Sequence, residues 1–436
     1  MSDLWSVDDH LADILRALRP LDPIALPLLD ADGCVLTEDV TVPAALPPFD
    51  NSSMDGYAVR AADVAAATGE RPVRLAVVGE SAAGGVDELP VLRPGQALRI
   101  MTGAPLPAGA DAVVPVEWTD GGLGGGPVAA MPAADLREGA PVRVHRPAAP
   151  GAHIRRRGSD AAAGTLALAA GTVLGPAQLG LLAALGRARV EVRPRPRVVV
   201  LSTGSELVPP GTPLGPGQIH DSNGFTLTAA ARAAGAVAYR AATVADEPER
   251  LRAALEDQLS RADLVITSGG VSVGAYDVVK EALRGSVEFR RLAMQPGKPQ
   301  GFGLVGRQRV PLLALPGNPV SSYVSFELFV RPALRALAGH PQVARPRVRA
   351  RLVCDAPLTS PAGRRQYLRG AYTPPAPGER LGTVRPVGGA SSHLLAALAR
   401  ADALIEIPEA ATTAEAGAEL TVVPLGGGGQ EYGSSS

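Results

Sequence analysis

Five short segments combine hydroxyls, glycines and charged residues in a way that suits a phosphate-bearing ligand. They are Ser202-Thr203-Gly204-Ser205-Glu206, Val244-Ala245-Asp246-Glu247, Ser268-Gly269-Gly270-Val271-Ser272-Val273-Gly274, Gln295-Pro296-Gly297-Lys298-Pro299 and Pro316-Gly317-Asn318-Pro319-Val320-Ser321. Glycine lets backbone N–H groups approach an anion closely, and a helix N-terminus favours negative charge. A single segment of this kind reads as an ordinary tight turn. Five together point to a ligand site. Glu206, Asp246 and Asp277 would repel an anion unless a bridging Mg²⁺ lay between them, and Asp246, just before Pro248, also fits a helix N-cap. Lys298 and Lys280 are the only lysines in a chain whose other 40 basic residues are Arg, and Lys298 offers a point charge to an oxyanion.

The pattern around these segments predicts how they are positioned. After Pro196, apolar runs at Val198–Leu201, Ala236–Tyr239, Leu264–Thr267, Val287–Leu292 and Val310–Leu315 alternate with helical segments. The helices are expected around Phe225–Ala234, Pro248–Leu259, Tyr276–Leu283 and Pro319–Leu337. This is the signature of an α/β fold with a doubly wound, mostly parallel sheet, whose ligands bind beyond the carboxyl ends of the strands, where the five segments fall. Before it, Ser6 caps an expected helix with Asp8 and Asp9 in its first turn and Leu11, Ile14, Leu15 and Leu18 at helical spacing. Residues from about Pro23 to Arg195 read as β-rich, with runs at Val73–Val78, Ala97–Met101, Ala112–Val116 and Val142–Val144 and a flexible hairpin tip at Gly121–Gly126. The uncharged stretch Ala161–Gly186, broken by glycines and Pro176, reads as strand, turn and buried helix, not a membrane span. Short β-type runs return beyond Pro346 as a small β domain, and the Gly/Ser-rich tail 426–436 reads as disordered.

Composition narrows the function. The 42 basic and 43 acidic residues of the 436 give a net charge of −1, and aromatics make up 3%, which argues against nucleic-acid and anionic-membrane partners. Cys34 and Cys354 are far apart, and no basic, apolar leader precedes the first helix, so a cytoplasmic location is expected. Gly270-Val-Ser272-Val-Gly274 matches a nucleophile elbow, with Asp277 or Asp355 and His340 or His393 as the available partners, but Ser268-Gly269 intervene between strand and motif. There is no Walker A motif, since Pro299 follows Gly297-Lys298.

The same segments, with Asn51-Ser-Ser-Met-Asp-Gly-Tyr-Ala58, Ile100-Met-Thr-Gly-Ala-Pro105, Gly109-Ala-Asp-Ala-Val-Val114 and Ile154-Arg-Arg-Arg-Gly158, carry a family resemblance that spans nearly the whole chain. The sequence resembles the molybdopterin molybdenumtransferases, the MoeA/gephyrin E-domain family. The resemblance implies insertion of molybdate into adenylylated molybdopterin with release of AMP and dependence on Mg²⁺. It also implies a homodimer whose active site lies between the doubly wound domain of one subunit and the β-rich domain of the other. On it, the expected catalytic residues are Asp55, Thr102, Glu206, Asp246, Asp277 and Lys298, with Glu206 and Asp277 on the metal. Substrate contacts are expected from Ser202, Thr203, Gly204, Ser268, Gly269, Gly270, Ser272, Gly274, Arg291, Gly297, Pro316, Gly317, Asn318 and Ser321, and from Arg369 and Ser392 on the molybdate side. The implied domains are a β-rich domain I (24–45, 146–176), an inserted β-rich domain II (46–145), the molybdopterin-binding α/β domain (1–23, 177–338) and a C-terminal β domain (339–425).

Two departures stand out. Where the family often has Lys ahead of Pro296-Gly-Lys-Pro299, this chain has Arg291 and Gln295, and the family's paired Asp is Asp246-Glu247. A pyrophosphatase or amidase of the competence-damage-inducible type resembles only the doubly wound block, and a receptor scaffold could tolerate loss of the carboxylates that are kept here.

Overall fold

A computed structural model describes residues 4–84, 88–133, 140–244, 247–271 and 278–426. Asp246, Ser272, Gly274, Asp277 and the tail from 427 onward lie outside the described residues. The chain forms two compact units, one of residues 1–37, 171–176 and 189–436, the other of residues 38–170 and 177–188.

The first unit opens with α1 (Val7–Ala17), where Ser6 accepts the Asp9 backbone N–H at 2.9 Å. Its most buried face is Val7, His10 and Ile14, while Leu11 and Leu18 pack at its margin and Leu15 is only half-buried. The sheet strands are β1 (Arg197–Ser202), β2 (Val237–Arg240), β3 (Leu264–Ser268) and β4 (Val287–Arg291). The chain then forms the short β5 (Met294–Gln295), β6 (Pro299–Val305) and β7 (Val310–Leu315). The six-stranded order is β2-β1-β3-β7-β6-β4, with β2, β1, β3 and β7 parallel and β6 and β4 antiparallel at one edge. Helices Asn223–Ala233 and Pro319–Ser325 cover one face with α1, and Pro248–Leu259 covers the other, so the sheet is doubly wound as expected.

Strand β6 is absent from the sequence pattern because Gly301 and Gly303 interrupt its apolar run. Gly303 is there for close approach: a Cβ on it would lie 2.0 Å from the Ser286 carbonyl oxygen. The expected single helix Pro319–Leu337 is divided by a π-helical turn at Phe326–Val330. Pro332 offers no N–H to the carbonyl of Leu328 and its ring crowds that carbonyl, which locally widens the turn.

The C-terminal strands Val348–Leu352, Arg365–Thr373, Gly382–Pro386, Ala403–Ile407 and Glu419–Pro424 pair in a ring and close a small barrel. Strand β5 adds to it in parallel, Met294 opposite Arg365 and Gln295 opposite Gln366. A core shared by the sheet and the barrel runs through Val320, Tyr367, Leu404 and Val423. Arg189–Arg193 pairs with both Ile24–Pro27 and Val35–Leu36, so residues on either side of position 176 join in one small sheet.

The second unit holds a five-stranded sheet in the order Ala112–Pro115, Gly56–Val59, Gln96–Ile100, Val73–Ser81, Pro141–Val144. It curls, since Thr119, beyond one edge strand, bridges Val144 on the other. The Gly121–Gly126 run lies in the connection between these two edges, whose base is joined antiparallel at Thr119 and Val144. The helix expected within Ala161–Gly186 forms at Pro176–Ala184, but only Leu182 of it is buried, which corrects the buried-helix expectation. Among the described residues no helix is long and apolar enough to cross a membrane.

Candidate active site

Strands β1, β3 and β7 are in register, Ser202 beside Ser268 and Ser268 beside Leu315, so the loops that follow them leave the sheet at one level. They then stack in close contact. Gly269, at φ +99°, brings its backbone to the Thr203 carbonyl, where a Cβ would lie 2.6 Å from that oxygen. Any side chain here would push the two loops apart.

Beyond the strand ends lies a cavity of 990 Å³. Thr203, Gly204 and Glu206 line it from the β1 loop, Ser268, Gly269 and Gly270 from the β3 loop, and Pro316, Gly317, Asn318 and Ser321 from the β7 loop. Ser202 stands behind this wall, its Oγ donating to Asp221 Oδ1 at 2.9 Å.

Asp221, Asn223 and His393 also line the cavity, and none of the three is among the binding residues expected from the sequence. Asn223 Nδ2 donates to Ser268 Oγ at 2.8 Å and to the Gly317 carbonyl at 2.6 Å, which locks two loops to one side chain. Asp221 Oδ1 accepts the Gly224 N–H at 2.8 Å at the start of helix Asn223–Ala233. Asp221-Ser-Asn223 ahead of a helix is a capping pattern, and that was the available signal. The Asp221 carboxylate is buried, and its Oδ2 makes no hydrogen bond although Arg240 Nη1 lies 3.5 Å away.

Lys298 is half-buried beside Pro299, which reaches the cavity wall. Its turn is fixed by buried Gln300, whose Nε2 donates to the Gly297 carbonyl at 2.7 Å and to Ser325 Oγ at 2.6 Å. Partial burial holds the Lys298 ammonium below its usual pKa, and the guanidinium groups of Arg291 and Arg364 add to the shift.

The barrel contributes Ser392, whose Oγ accepts Asn318 Nδ2 at 2.9 Å and whose carbonyl accepts the Val320 N–H at 3.0 Å. Arg369 is buried and donates to the carbonyls of Val387, Gly389 and Ser391. Desolvation lowers its pKa. Its guanidinium thus holds the loop that carries Ser392 and turns its donors to backbone, away from a direct anion contact.

In the second unit, Asp55 Oδ1 accepts from the Thr102 backbone N–H at 2.7 Å and from Thr102 Oγ1 at 2.9 Å. The two expected residues form one exposed pair on that unit.

Among the described residues no three metal-binding side chains gather. Mg²⁺ takes oxygen ligands and keeps several waters alongside one or two carboxylates and substrate phosphates. Glu206 with the neighbouring hydroxyls and carbonyls fits that requirement. For the nucleophile elbow, β3 ends at Ser268, two residues before the motif begins, and Ser272, Gly274 and Asp277 of that reading lie outside the described residues.

Comparison with known proteins decides the family. Residues 5–186 match the description "MoeA N-terminal region (domain I and II)", residues 199–336 "Probable molybdopterin binding domain" and residues 351–425 "MoeA C-terminal region (domain IV)". Molybdopterin molybdenumtransferase 2 of Mycobacterium tuberculosis is 48% identical over 428 residues, covering 96% of this chain and 99% of that protein. The chain belongs to the molybdopterin molybdenumtransferase family. Molybdopterin molybdenumtransferase of Haemophilus influenzae is 36% identical over 427 residues, covering 97% of this chain and 99% of that protein. Among solved structures, a molybdopterin biosynthesis MoeA protein from Pyrococcus horikoshii superposes with a TM-score of 0.75 at 31% identity over 97% of this chain and all of that one. The protein is accordingly an enzyme of molybdenum cofactor biosynthesis. Matches over the N- and C-terminal regions separate it from proteins that resemble the α/β block alone.

Proposed function

We propose that this protein inserts molybdate into adenylylated molybdopterin and releases AMP in a Mg²⁺-dependent reaction, acting as a cytoplasmic homodimer. The observation that carries the reading is the convergence of the β1, β3 and β7 loops on one cavity. Their hydroxyls and backbone N–H groups suit a pyrophosphate.

Mg²⁺, when bound, would neutralise phosphate charge and polarise the bond to be broken. Glu206 and Asp277 would hold it, with Asp246 a further carboxylate of the site. Thr203 and Gly204 orient one side of the diphosphate, with Ser202 supporting that loop from behind, and Ser268, Gly269 and Gly270 the other, where Ser272 and Gly274 are expected to add to it. Pro316, Gly317, Asn318 and Ser321 form the wall nearest Ser392. Lys298 and Arg291, beside Gly297, meet a phosphate or molybdate oxygen by charge. Asp55 and Thr102 complete the site from a second copy of the chain.

The test is to mix the purified protein with adenylylated molybdopterin, Mg²⁺ and molybdate and follow AMP. Glu206→Ala should slow release about a hundredfold or more at saturating substrate with little change in thermal midpoint. Release at the wild-type rate in Glu206→Ala, or in the presence of a chelator, would remove the metal from the reading.

A further inference from the structure

The helical stretch from Pro319 to Leu337 carries Glu327 and Arg331 four residues apart, the spacing at which a regular helix brings a carboxylate and a guanidinium together. The π-helical turn at Phe326–Val330 lies between them, and they form no ion pair. Glu327, which is buried, is taken instead by Arg345 from beyond the helix: Nε donates to Oε2 at 2.5 Å and Nη2 to Oε1 at 3.2 Å. Arg345 is anchored in turn, its Nη1 donating to the Gly426 carbonyl at 3.4 Å. Arg331 is left with a buried Nε that makes no hydrogen bond, and among the described residues its guanidinium has no carboxylate partner.

These groups face a cavity of 330 Å³ between that stretch and helix Asn223–Ala233. Arg331, Arg345, Glu327 and Tyr323 stand on one side of it. Across from them the helix presents Ala229, Ala230 and Ala233, whose methyl groups leave the space open, and Leu425 closes one end. None of these residues lines the 990 Å³ cavity beyond the strand ends. Burial and the Arg345 charge hold the Arg331 pKa down to about 10, and burial with the Glu327 carboxylate pushes the Tyr323 hydroxyl up, so at neutral pH Arg331 is charged and Tyr323 keeps its proton. A buried guanidinium without a partner is destabilising. Two arginines against one carboxylate leave the lining with a positive charge in excess.

We propose that this cavity is a binding site for a small organic monocarboxylate, held by Arg331 and covered by the alanine face of helix Asn223–Ala233. One charge in excess matches a monoanion, and Glu327 would repel a second negative charge. The guanidinium fork fits the two oxygens of a planar carboxylate. Ala229, Ala230, Ala233 and Leu425 give apolar contact to a carbon body, which an inorganic anion lacks. The site goes beyond the molybdate-insertion reading and does not depend on it.

The experiment is calorimetric titration of the full-length protein with benzoate, acetate and chloride as separate probes, in a buffer free of other small anions. Benzoate should bind about tenfold more tightly than acetate because its ring reaches the alanine face, and chloride should bind more weakly than either. Arg331→Gln should weaken benzoate about tenfold, and its thermal midpoint without ligand should be no lower than the wild type's, since the substitution removes an unpaired buried charge. Benzoate should raise the thermal midpoint of the wild type and leave that of Arg331→Gln unmoved. Ala229→Leu, which fills the cavity from the opposite wall with Arg331 intact, should also weaken benzoate. No binding of either carboxylate to the wild type at about 10 mM, or equal benzoate affinity in Arg331→Gln, overturns the site. Chloride that binds as tightly as benzoate overturns the carboxylate assignment.

Discussion

Asn223 ties the β3 loop to the β7 loop with two donors on one side chain. Asn223→Ala should lower kcat/KM for AMP release about tenfold through misplacement of Ser268 and Gly317, while Asn223→Asp should keep at most the Ser268 contact, with the hydroxyl now donating, and leave the Gly317 carbonyl without its donor. Steady-state kinetics on the two variants checks this, and equal kcat/KM in wild type and Asn223→Ala would return the residue to a helix-start role. Lys298 behaves differently because charge is its contribution. Lys298→Ala should weaken binding of adenylylated molybdopterin at low salt and much less at high salt, and Lys298→Arg should recover part of the loss. Calorimetric titration at two ionic strengths measures it.

Strand β6 and helix α1 show how elements constrain the site from behind. Gly303→Ala puts a Cβ against the Ser286 carbonyl, a backbone atom that cannot rotate away, so the β4–β6 pairing should be lost at a cost of about 3 kcal/mol. A thermal midpoint several degrees lower, with fewer correctly placed Arg291 and Lys298 groups, is the expected readout. Helix α1 docks through His10, whose ring meets Phe329 edge-on at 4.9 Å. Burial, aided by Arg290, holds the His10 pKa down to about 4, and burial with Arg335 and Arg331 does the same at His340. Unfolded histidine binds its proton near pH 6.5, so the unfolded chain takes up protons first. Stability is full above that pH and falls as pH drops from 6.5 through about 4, by about 3 kcal/mol for each histidine at the end of the window. Urea midpoints at pH 7 and pH 5 should therefore differ, and the difference should shrink in His10→Leu. The carboxylates of Asp8 and Asp13, held below their usual pKa mainly by hydrogen bonds from Arg365 and Arg290, stabilise the fold above about pH 4, and that contribution is lost only as pH falls further.

For the whole molecule the decisive question is whether one subunit suffices. Asp55 and Thr102 form their pair on one compact unit, and the cavity belongs to the other. If the site is completed by a second copy, mixing Asp55→Ala with Glu206→Ala protein should restore part of the AMP release, because one site of each hybrid dimer carries neither lesion. Demonstrated subunit exchange with no return of activity would show that the two lesions share one subunit's site.

Much of this was legible in the sequence because it is local. Continuous apolar runs and helices of period 3.6 announce β1, β3, β7 and the helices between them, and glycines in Ser268-Gly-Gly270 and Pro316-Gly-Asn318 mark loops whose backbones must nearly touch. The Ser-Met-Asp-Gly-Tyr-Ala segment carries the family. What the sequence left open depends on residues far apart in the chain. Strand β6 hides because its glycines answer to Ser286 and Phe289 across the sheet, not to their neighbours in sequence. The two-residue β5 has no periodicity to read, yet its pairing with Arg365 and Gln366 sets Arg364 beside Gln295. Arg369 looks like an anion ligand by charge alone, and only the folded barrel shows its donors turned to the carbonyls beside Ser392. Local chemistry names the loops, and long-range hydrogen bonding decides which of their side chains remain free to meet a ligand.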